Sequence, residues 1–397
     1  MKLAIFGSYN GTSIGDTAIL LGLLHGIAQM APEARVTVLT MGPLDLSRDL
    51  ALTGLIHPPR LVRANTHAPA EWPVLRSLWW RLQRLGLPLG TRFNSARVRK
   101  TLQGQDLLII GGGNLLMDLF STGVDLMESI TEAAQASPTP YSFAGVGAGP
   151  VTHPGSAERL AASLAPAQRV IVRDAPSQAL CVGALQRADT RCAPDLAFAL
   201  PARESHAPQR DALAVNVAAV GAPTWPVHDA QAYQHYLGGM TRLVLEAAAQ
   251  TQPARIEIIT TNPAVDLCAG RDLAARLAGK TPLPVLMPVL RDVTDILDAF
   301  GRAKLAIITR LHAGITAALA GAPVLPVAYQ PKVAAVLSET GIAPQAIALE
   351  ALQAPEYDAA PALARATRHG SGLRPESRAQ ALAMIRDLLS DTRGGLA

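Results

Sequence analysis

The chain is poor in cysteine, in aromatic residues and in charge. Its 397 residues include three cysteines, 4% aromatic residues and 17% charged residues. Cys181, Cys192 and Cys268 have no CxxC spacing, and an odd number of cysteines cannot pair completely. The sequence therefore argues against a disulfide framework and a structural zinc site, and it favours a reducing, cytoplasmic location.

Other binding signatures are missing too. The formal net charge of +4 mildly favours anionic ligands, yet no run of Lys and Arg interleaved with aromatic residues forms a nucleic-acid-binding stripe. The glycine spacing after the first predicted strand is not GxGxxG, and no cluster of His, Cys, Asp or Glu has metal-ligand spacing. We therefore expect no nucleic acid partner, no metal and no nicotinamide cofactor.

Long hydrophobic runs are rare. The apolar run within Met1 to Gly7 is too short for a signal peptide and predicts a first strand. Ala313 to Pro331 is uncharged and nearly long enough to span a bilayer, but glycines and prolines interrupt it. This stretch predicts a buried helix followed by a buried strand.

Short β-rich runs alternate with helical stretches, a pattern typical of parallel sheets covered on both faces. The segment 201–211 interrupts the alternation with charges, a His and two prolines, as a linker would. The sequence therefore predicts an α/β protein with two doubly wound, Rossmann-like domains facing a cleft. We place the domains at 1–200 and 212–375, and we expect a final helix in 376–397 to pack back on the first domain.

Two glycine-rich loops of the first domain follow predicted strands, where ligands bind in such sheets. Gly7 to Asp16 either presents backbone amides to an anion or is a tight turn with Asp16 as the helix cap, and the residues leave both interpretations open. Gly112, Gly113 and Asn114 are candidate ligand contacts because glycines let a ligand approach the backbone. Sheet packing alone would also explain the glycines.

Arg173 ends another predicted strand of the first domain. Its planar donor fork suits a carboxylate or a phosphate, although a surface ion pair with Asp174 is the competing interpretation. We predict ligand binding for Arg173. We predict only a capping function for Asp195, which follows Pro194.

The segment Leu305 to Gly314 carries the strongest signal. Four apolar residues predict a buried strand, after which Arg310 and His312 stand at i and i+2 and would point the same way on an extended backbone, with Leu311 facing the core. A helix predicted from Ala313 adds a positive dipole end at the same place. A cation and a titratable base at a near-apolar site predict chemistry there.

Together these motifs resemble the polysaccharide pyruvyl transferases, most specifically through Arg310-Leu311-His312-Ala313 and the later Tyr329-x-x-Lys332 turn. The resemblance implies a GT-B-like architecture and transfer of pyruvate from phosphoenolpyruvate to sugar hydroxyls, usually as a cyclic ketal. It implies that Arg310 and His312 are catalytic and that Arg173 grips the donor phosphate. We also predict that Asp16, Leu311 and Lys332 contact substrate. Which proton His312 moves stays open.

Two other functions compete. A glycosyltransferase using a nucleotide sugar would need the same two-domain cleft, and a non-catalytic subunit of a polysaccharide assembly complex would need no chemistry. Retention of both Arg310 and His312 argues against the silent subunit. Donor binding separates the three possibilities.

The stretch 72–85 has helical spacing of leucines and a tryptophan, with three arginines at the flanks. This composition is typical of an interfacial helix, and it predicts peripheral contact with the inner face of the membrane, where a lipid-linked sugar acceptor would lie. Packing against the first domain or against a second copy in a homo-oligomer is the competing interpretation.

Overall fold

A computed structural model of the chain describes residues 1–65, 93–119, 123–202, 210–225, 227–343, 346–354 and 356–393. The stretch 72–85 lies outside these residues, as do most of the predicted linker and the side chain of Lys332. Membrane contact through 72–85 therefore stays a prediction.

The first sheet is parallel, with strand order β3-β2-β1-β4-β6-β7-β8 and with β5 beside β6. Its central strands are apolar and buried because helices cover both faces. The strands are β1 Lys2–Phe6, β2 Arg35–Thr40, β3 Arg60–Arg63, β4 Leu107–Gly111, β5 Asn114–Leu116, β6 Tyr141–Ala148, β7 Val170–Val172 and β8 Arg191–Cys192.

The second sheet is also parallel, in the order β11-β10-β9-β12-β13-β14. Strand order reverses between β1 and β4 in the first sheet and between β9 and β12 in the second, which is where such folds bind ligands. The prediction of two doubly wound sheets is confirmed. The strands are β9 Ala212–Asn216, β10 Arg255–Ile259, β11 Val285–Leu286, β12 Ala303–Ile308, β13 Val324–Ala328 and β14 Ile347–Ala348.

Helices fill most of the intervals between strands, and a 3₁₀ turn spans Leu196–Ala199. The uncharged stretch predicted as a buried helix and strand is confirmed as α10 and β13. Within the described ranges, no helix is both long and apolar enough to cross a membrane. The helices are α1 Ile14–Met30, α2 Leu50–Thr53, α3 Ser95–Leu102, α4 Gly123–Gln135, α5 Ser156–Leu164, α6 Ala175–Val182, α7 Ala230–Thr251, α8 Pro263–Leu277, α9 Val293–Gly301, α10 Leu311–Leu319, α11 Pro331–Glu339, α12 Leu349–Gln353, α13 Ala360–His369 and α14 Pro375–Arg393.

Helix α1 lies where the two sheets meet. It contacts the 3₁₀ turn, α9, α10 and α14, and one hydrophobic cluster joins residues of both sheets around it. Helix α14 packs so closely on α1 that a Cβ at Gly26 would collide with Ile385. A shared apolar core of this kind opposes independent movement of the two sheets.

Gly22 tests the close packing of α1. A Cβ at Gly22 would collide with the backbone carbonyl of Leu196. We expect Gly22→Ala to lower the free energy of unfolding by about 1–3 kcal/mol, measured by urea denaturation, even though alanine is the better helix former. Gly238→Ala in α7 is the matched control, because only the Arg242 guanidinium comes within 4.0 Å there, and it should raise stability by about 0.5–1 kcal/mol. Equal stabilities for the two variants would contradict this packing.

Candidate functional site

A cavity of about 440 Å³ lies between the carboxyl ends of the two sheets. Both switch points open onto it, so loops after β1 and β4 face loops after β9, β12 and β13. Among the residues that line it are Ser8, Ser13, Asp16, Gly113, Asn114, Met117, Arg173, Asp174, Trp225, Asn262, Arg310, Leu311, His312 and Tyr329.

The backbone at Arg310 and His312 differs from the prediction. The helix begins at Leu311 rather than Ala313, with Arg310 as its N-cap residue, so the extended backbone assumed through His312 is wrong. Successive side chains diverge once the chain becomes helical. Arg310 therefore faces Asp266 in α8 and His312 faces Asp195 of the first domain, while Leu311 packs against the core as predicted and also lines the cavity.

Arg310 is fixed by a bidentate ion pair. Its Nε and Nη2 donate to the two carboxylate oxygens of Asp266 at 2.9 and 2.7 Å, and its guanidinium lies 5.1 Å from the centre of the Trp225 ring. Burial alone would lower the pKa of Arg310, but the hydrogen bonds with Asp266 raise it. Tyr329 packs edge-on against Trp225 at 5.5 Å. The cavity wall thus holds a permanent cation in one orientation.

Asp195 connects the two domains. Its Oδ2 accepts from Arg173 Nη1 at 3.1 Å and lies 3.3 Å from His312 Nε2, while Oδ1 accepts from the Ala197 amide at 3.0 Å. Burial alone would raise the pKa of Asp195, but His312 and Arg173 hold it well below its usual range. The predicted capping bond exists, yet the prediction of capping alone is wrong, because the same carboxylate holds two cavity residues.

Arg173 is buried, with its side chain 7% exposed. Its Nη1 pairs with Asp195, whereas its Nε is buried without a hydrogen-bond partner among the described residues. Asp174, the alternative partner, lies 3.7 Å away and instead caps α6 through the Ser177 amide. A buried guanidinium N–H that has no hydrogen-bond partner at a cavity wall is suited to an anionic ligand.

Of the three predicted contacts in the glycine loop after β4, two line the cavity and one does not. Gly112 and Gly113 both have positive φ, near 75°, which accounts for glycine at each position. Gly113 and Asn114 line the cavity, with Asn114 Nδ2 donating to the Gly149 carbonyl at 2.7 Å. Gly112 is not among the cavity-lining residues and packs against Ile19.

The N-cap residue of α1, at the end of the first glycine-rich loop, is Ser13 and not Asp16. Ser13 Oγ accepts from the Asp16 amide at 3.3 Å, which leaves the Asp16 carboxyl at the cavity. The Ile14 amide donates to the Thr261 carbonyl across the cleft at 2.9 Å. The Ile14 amide is therefore engaged in joining the domains.

Sequence reasoning missed Asp266, Trp225 and Asn216. Asn216 ends the central strand β9, where its Oδ1 accepts from the Arg310 amide at 3.0 Å. Asp266 lies in the first turn of a helix that follows a predicted strand, a position that could have been noticed. Within the described parts of the chain, no group of three or more His, Cys, Asp and Glu is placed to hold a metal ion.

The fold and its interdomain cavity define a two-domain α/β protein of the GT-B type. UDP-GlcNAc 2-epimerase from Methanocaldococcus jannaschii is similar, with a TM-score of 0.58 at 11% identity over 98% of this chain and 100% of that chain. UDP-GlcNAc 2-epimerase from Neisseria meningitidis, bound to UDP-GlcNAc, has a TM-score of 0.57 at 11% identity over 98% and 100%. HepE from Anabaena, in complex with UDP and glucose, has a TM-score of 0.52 at 13% identity over 98% and 99%. Likeness at these identities establishes the fold alone.

The sequence gives a narrower classification. The family model for polysaccharide pyruvyl transferase matches residues 14–331, which is most of the chain and includes most of the residues that line the cavity. The chain belongs to the polysaccharide pyruvyl transferase family. No curated protein sequence matches it significantly.

Replacing Asp195 tests the connection between the domains. Asp195→Ala leaves the buried Arg173 without its closest ion-pair partner, so we expect the free energy of unfolding to fall by about 3–5 kcal/mol in urea denaturation. Asp125→Ala removes a partner from the exposed pair with Arg159 and should cost at most about 1 kcal/mol. If both variants lose equally little, Asp195 does not hold the site together.

Proposed function

We propose that the protein transfers pyruvate from phosphoenolpyruvate to hydroxyls of a sugar in a polysaccharide or its precursor, forming a pyruvyl ketal. The observation that carries this proposal is that Arg173 and Arg310 reach one cavity from opposite domains, with His312 also lining it. Membership of the family supports the same reaction.

The two arginines suit the two anionic groups of the donor. Phosphoenolpyruvate carries a phosphate and a carboxylate, each of which accepts charge-assisted hydrogen bonds from guanidinium groups. The unpartnered Nε of Arg173 offers a donor on one wall, and Arg310 at the start of α10 offers a cation and a helix N-terminus on the other. We propose that the donor lies between them.

His312 is suited to proton transfer. Because its Nε2 lies against an ionised Asp195, the neutral ring carries its proton on Nε2 and keeps a lone pair on Nδ1. A histidine held in one tautomer by a buried carboxylate is a general base of the kind that sugar hydroxyls need. We propose that His312 takes a proton from the attacking hydroxyl.

A nucleotide sugar is the second candidate donor. The neighbours from Neisseria and Anabaena are bound to UDP-GlcNAc and to UDP with glucose, and they share this fold. Their sequence identities to this chain, 11% and 13%, are too low to infer that it binds the same ligands. The choice between the two donors therefore depends on measuring which of them binds.

We propose that the acceptor is lipid-linked, and that the enzyme reaches it as a peripheral protein.

Donor binding tests the proposal directly. We expect phosphoenolpyruvate at about 100 times its Kd to stabilise the protein by about 2.7 kcal/mol in thermal unfolding, and UDP-GlcNAc and UDP-glucose to have no effect. Arg173→Lys, which lacks the planar fork, should weaken phosphoenolpyruvate binding, whereas Arg291→Lys at an exposed ion pair should not. Stabilisation by a UDP-sugar alone would favour the glycosyltransferase.

Turnover tests His312 and Arg310 separately. With acceptors screened by mass spectrometry, His312→Ala should reduce turnover roughly 10²–10⁴-fold while donor affinity changes less. Arg310→Lys should also lose activity, because lysine cannot form the bidentate pair with Asp266. His57→Ala alters an exposed histidine at the opposite end of the first sheet and should keep wild-type rates. Wild-type turnover in His312→Ala would remove His312 from the chemistry.

A further inference from the structure

Asp16 is a second titratable group beside His312. It lies in the first turn of α1 and lines the cavity. Its neighbour Gly15 lets the imidazole lie against the helix, since a Cβ at Gly15 would be 3.0 Å from His312 Nδ1. On the other side, a Cβ at Gly113 would be 3.6 Å from Asp16 Oδ1. The Asp16 carboxyl thus lies beside the glycine loop that follows β4, and it lines the same cavity as His312.

The environments of Asp16 and Asp195 shift the pKa values of these two carboxyls in opposite directions. The titratable groups facing Asp16 are His312, Arg173, Asp195 and Tyr9. Burial raises the pKa of Asp16 despite the opposing influence of His312, Ser13 and Arg173, whereas the pKa of Asp195 is lowered. When two neighbouring carboxyls differ in this way, the one with the raised pKa is suited to carry a proton and the one with the lowered pKa is suited to stay ionised.

The other acidic groups around the cavity are already engaged. Asp195 binds Arg173 and His312, and Asp266 forms the bidentate pair with Arg310. Asp174 accepts from the Ser177 amide at 2.8 Å as the cap of α6. Tyr9 donates its hydroxyl proton to the Gly111 carbonyl at 2.6 Å. Asp16 is the remaining carboxyl whose position suits it to hold a proton over the cavity.

We propose that Asp16 is the catalytic acid that protonates C3 of the enolpyruvyl group, while His312 accepts the proton of the attacking hydroxyl. This assignment rests on the proposed function. It gives the two proton transfers to two different residues instead of to His312 alone.

The reaction balances with this division. The Asp16 proton forms a bond to C3 as the C2=C3 π pair moves to it, giving a methyl group and an electron-deficient C2. The first sugar oxygen bonds to C2, and its proton passes to His312. The C2–O bond to phosphate then breaks with its electron pair on the phosphate, and the second sugar oxygen bonds to C2. Of the two hydroxyl protons, one restores Asp16 and one leaves on the phosphate.

The test compares Asp16→Asn, Asp16→Glu and the wild type in the full chain. Binding of phosphoenolpyruvate is measured by calorimetry, and turnover by phosphate release with the acceptor found in the mass-spectrometric screen. Glu158→Gln is the matched control, since Glu158 is likewise in the first turn of a helix but is exposed and away from the cavity. Asp16→Asn puts a neutral amide of similar size where burial already favours the neutral carboxyl, so it should fold about as stably as the wild type.

We expect Asp16→Asn to bind phosphoenolpyruvate within about threefold of the wild type and to lose turnover by roughly 10²–10⁴-fold, with partial recovery in Asp16→Glu. In the wild type, kcat should fall as the pH rises through the raised pKa of Asp16, because Asp16 must be protonated to act. That fall should disappear in Asp16→Asn. It should persist in Glu158→Gln.

The two levels of the proposal fail differently. If the wild type neither binds phosphoenolpyruvate nor transfers pyruvate, the proposed function is wrong and the Asp16 assignment falls with it. If the wild type transfers pyruvate but Asp16→Asn keeps turnover within about threefold, or keeps the fall of kcat with rising pH, only the Asp16 assignment is overturned.

Discussion

The carboxylate of Asp195 determines how the two domains present their cations to the cavity. It is fully buried, and a buried charge without partners would cost several kcal/mol. Arg173 from the first domain and His312 from the second both satisfy it. The position of each therefore depends on the other, so the site exists only when the domains are joined as observed.

Each domain neutralises its own arginine with a buried aspartate. Asp195 accompanies Arg173 and Asp266 accompanies Arg310. An anionic substrate of the proposed kind would not meet two free cations, so it would gain less from long-range attraction than from hydrogen-bond donors that are already oriented. The arrangement gives up some electrostatic attraction in return for fixed orientation, and the proposed reaction would need that orientation, since one carbon atom would receive a proton and its neighbour a hydroxyl oxygen.

The fold followed from local pattern, whereas the site did so only in part. Alternating apolar runs marked both sheets, and Arg310 and His312 were visible at the end of β12 because polar groups there contrast with the buried strand. Their partners were not visible, since Asp195 lies 117 residues from His312 and Asp266 lies 44 from Arg310. The helix start at Leu311 was also missed, because helix boundaries can be placed only to within one or two residues. That difference is enough to change the direction in which a side chain points.

Helix α1 gives the site its rigidity. Its first turn carries Asp16, while further along it packs on α10, the helix whose first turn carries His312, and on the turn that follows Asp195. The spacing of the titratable groups is therefore fixed by apolar contacts that form on folding, not by closure around a ligand. Because a packed interior resists small displacements, a cleft built in this way holds Asp16 and His312 in fixed positions before any ligand binds.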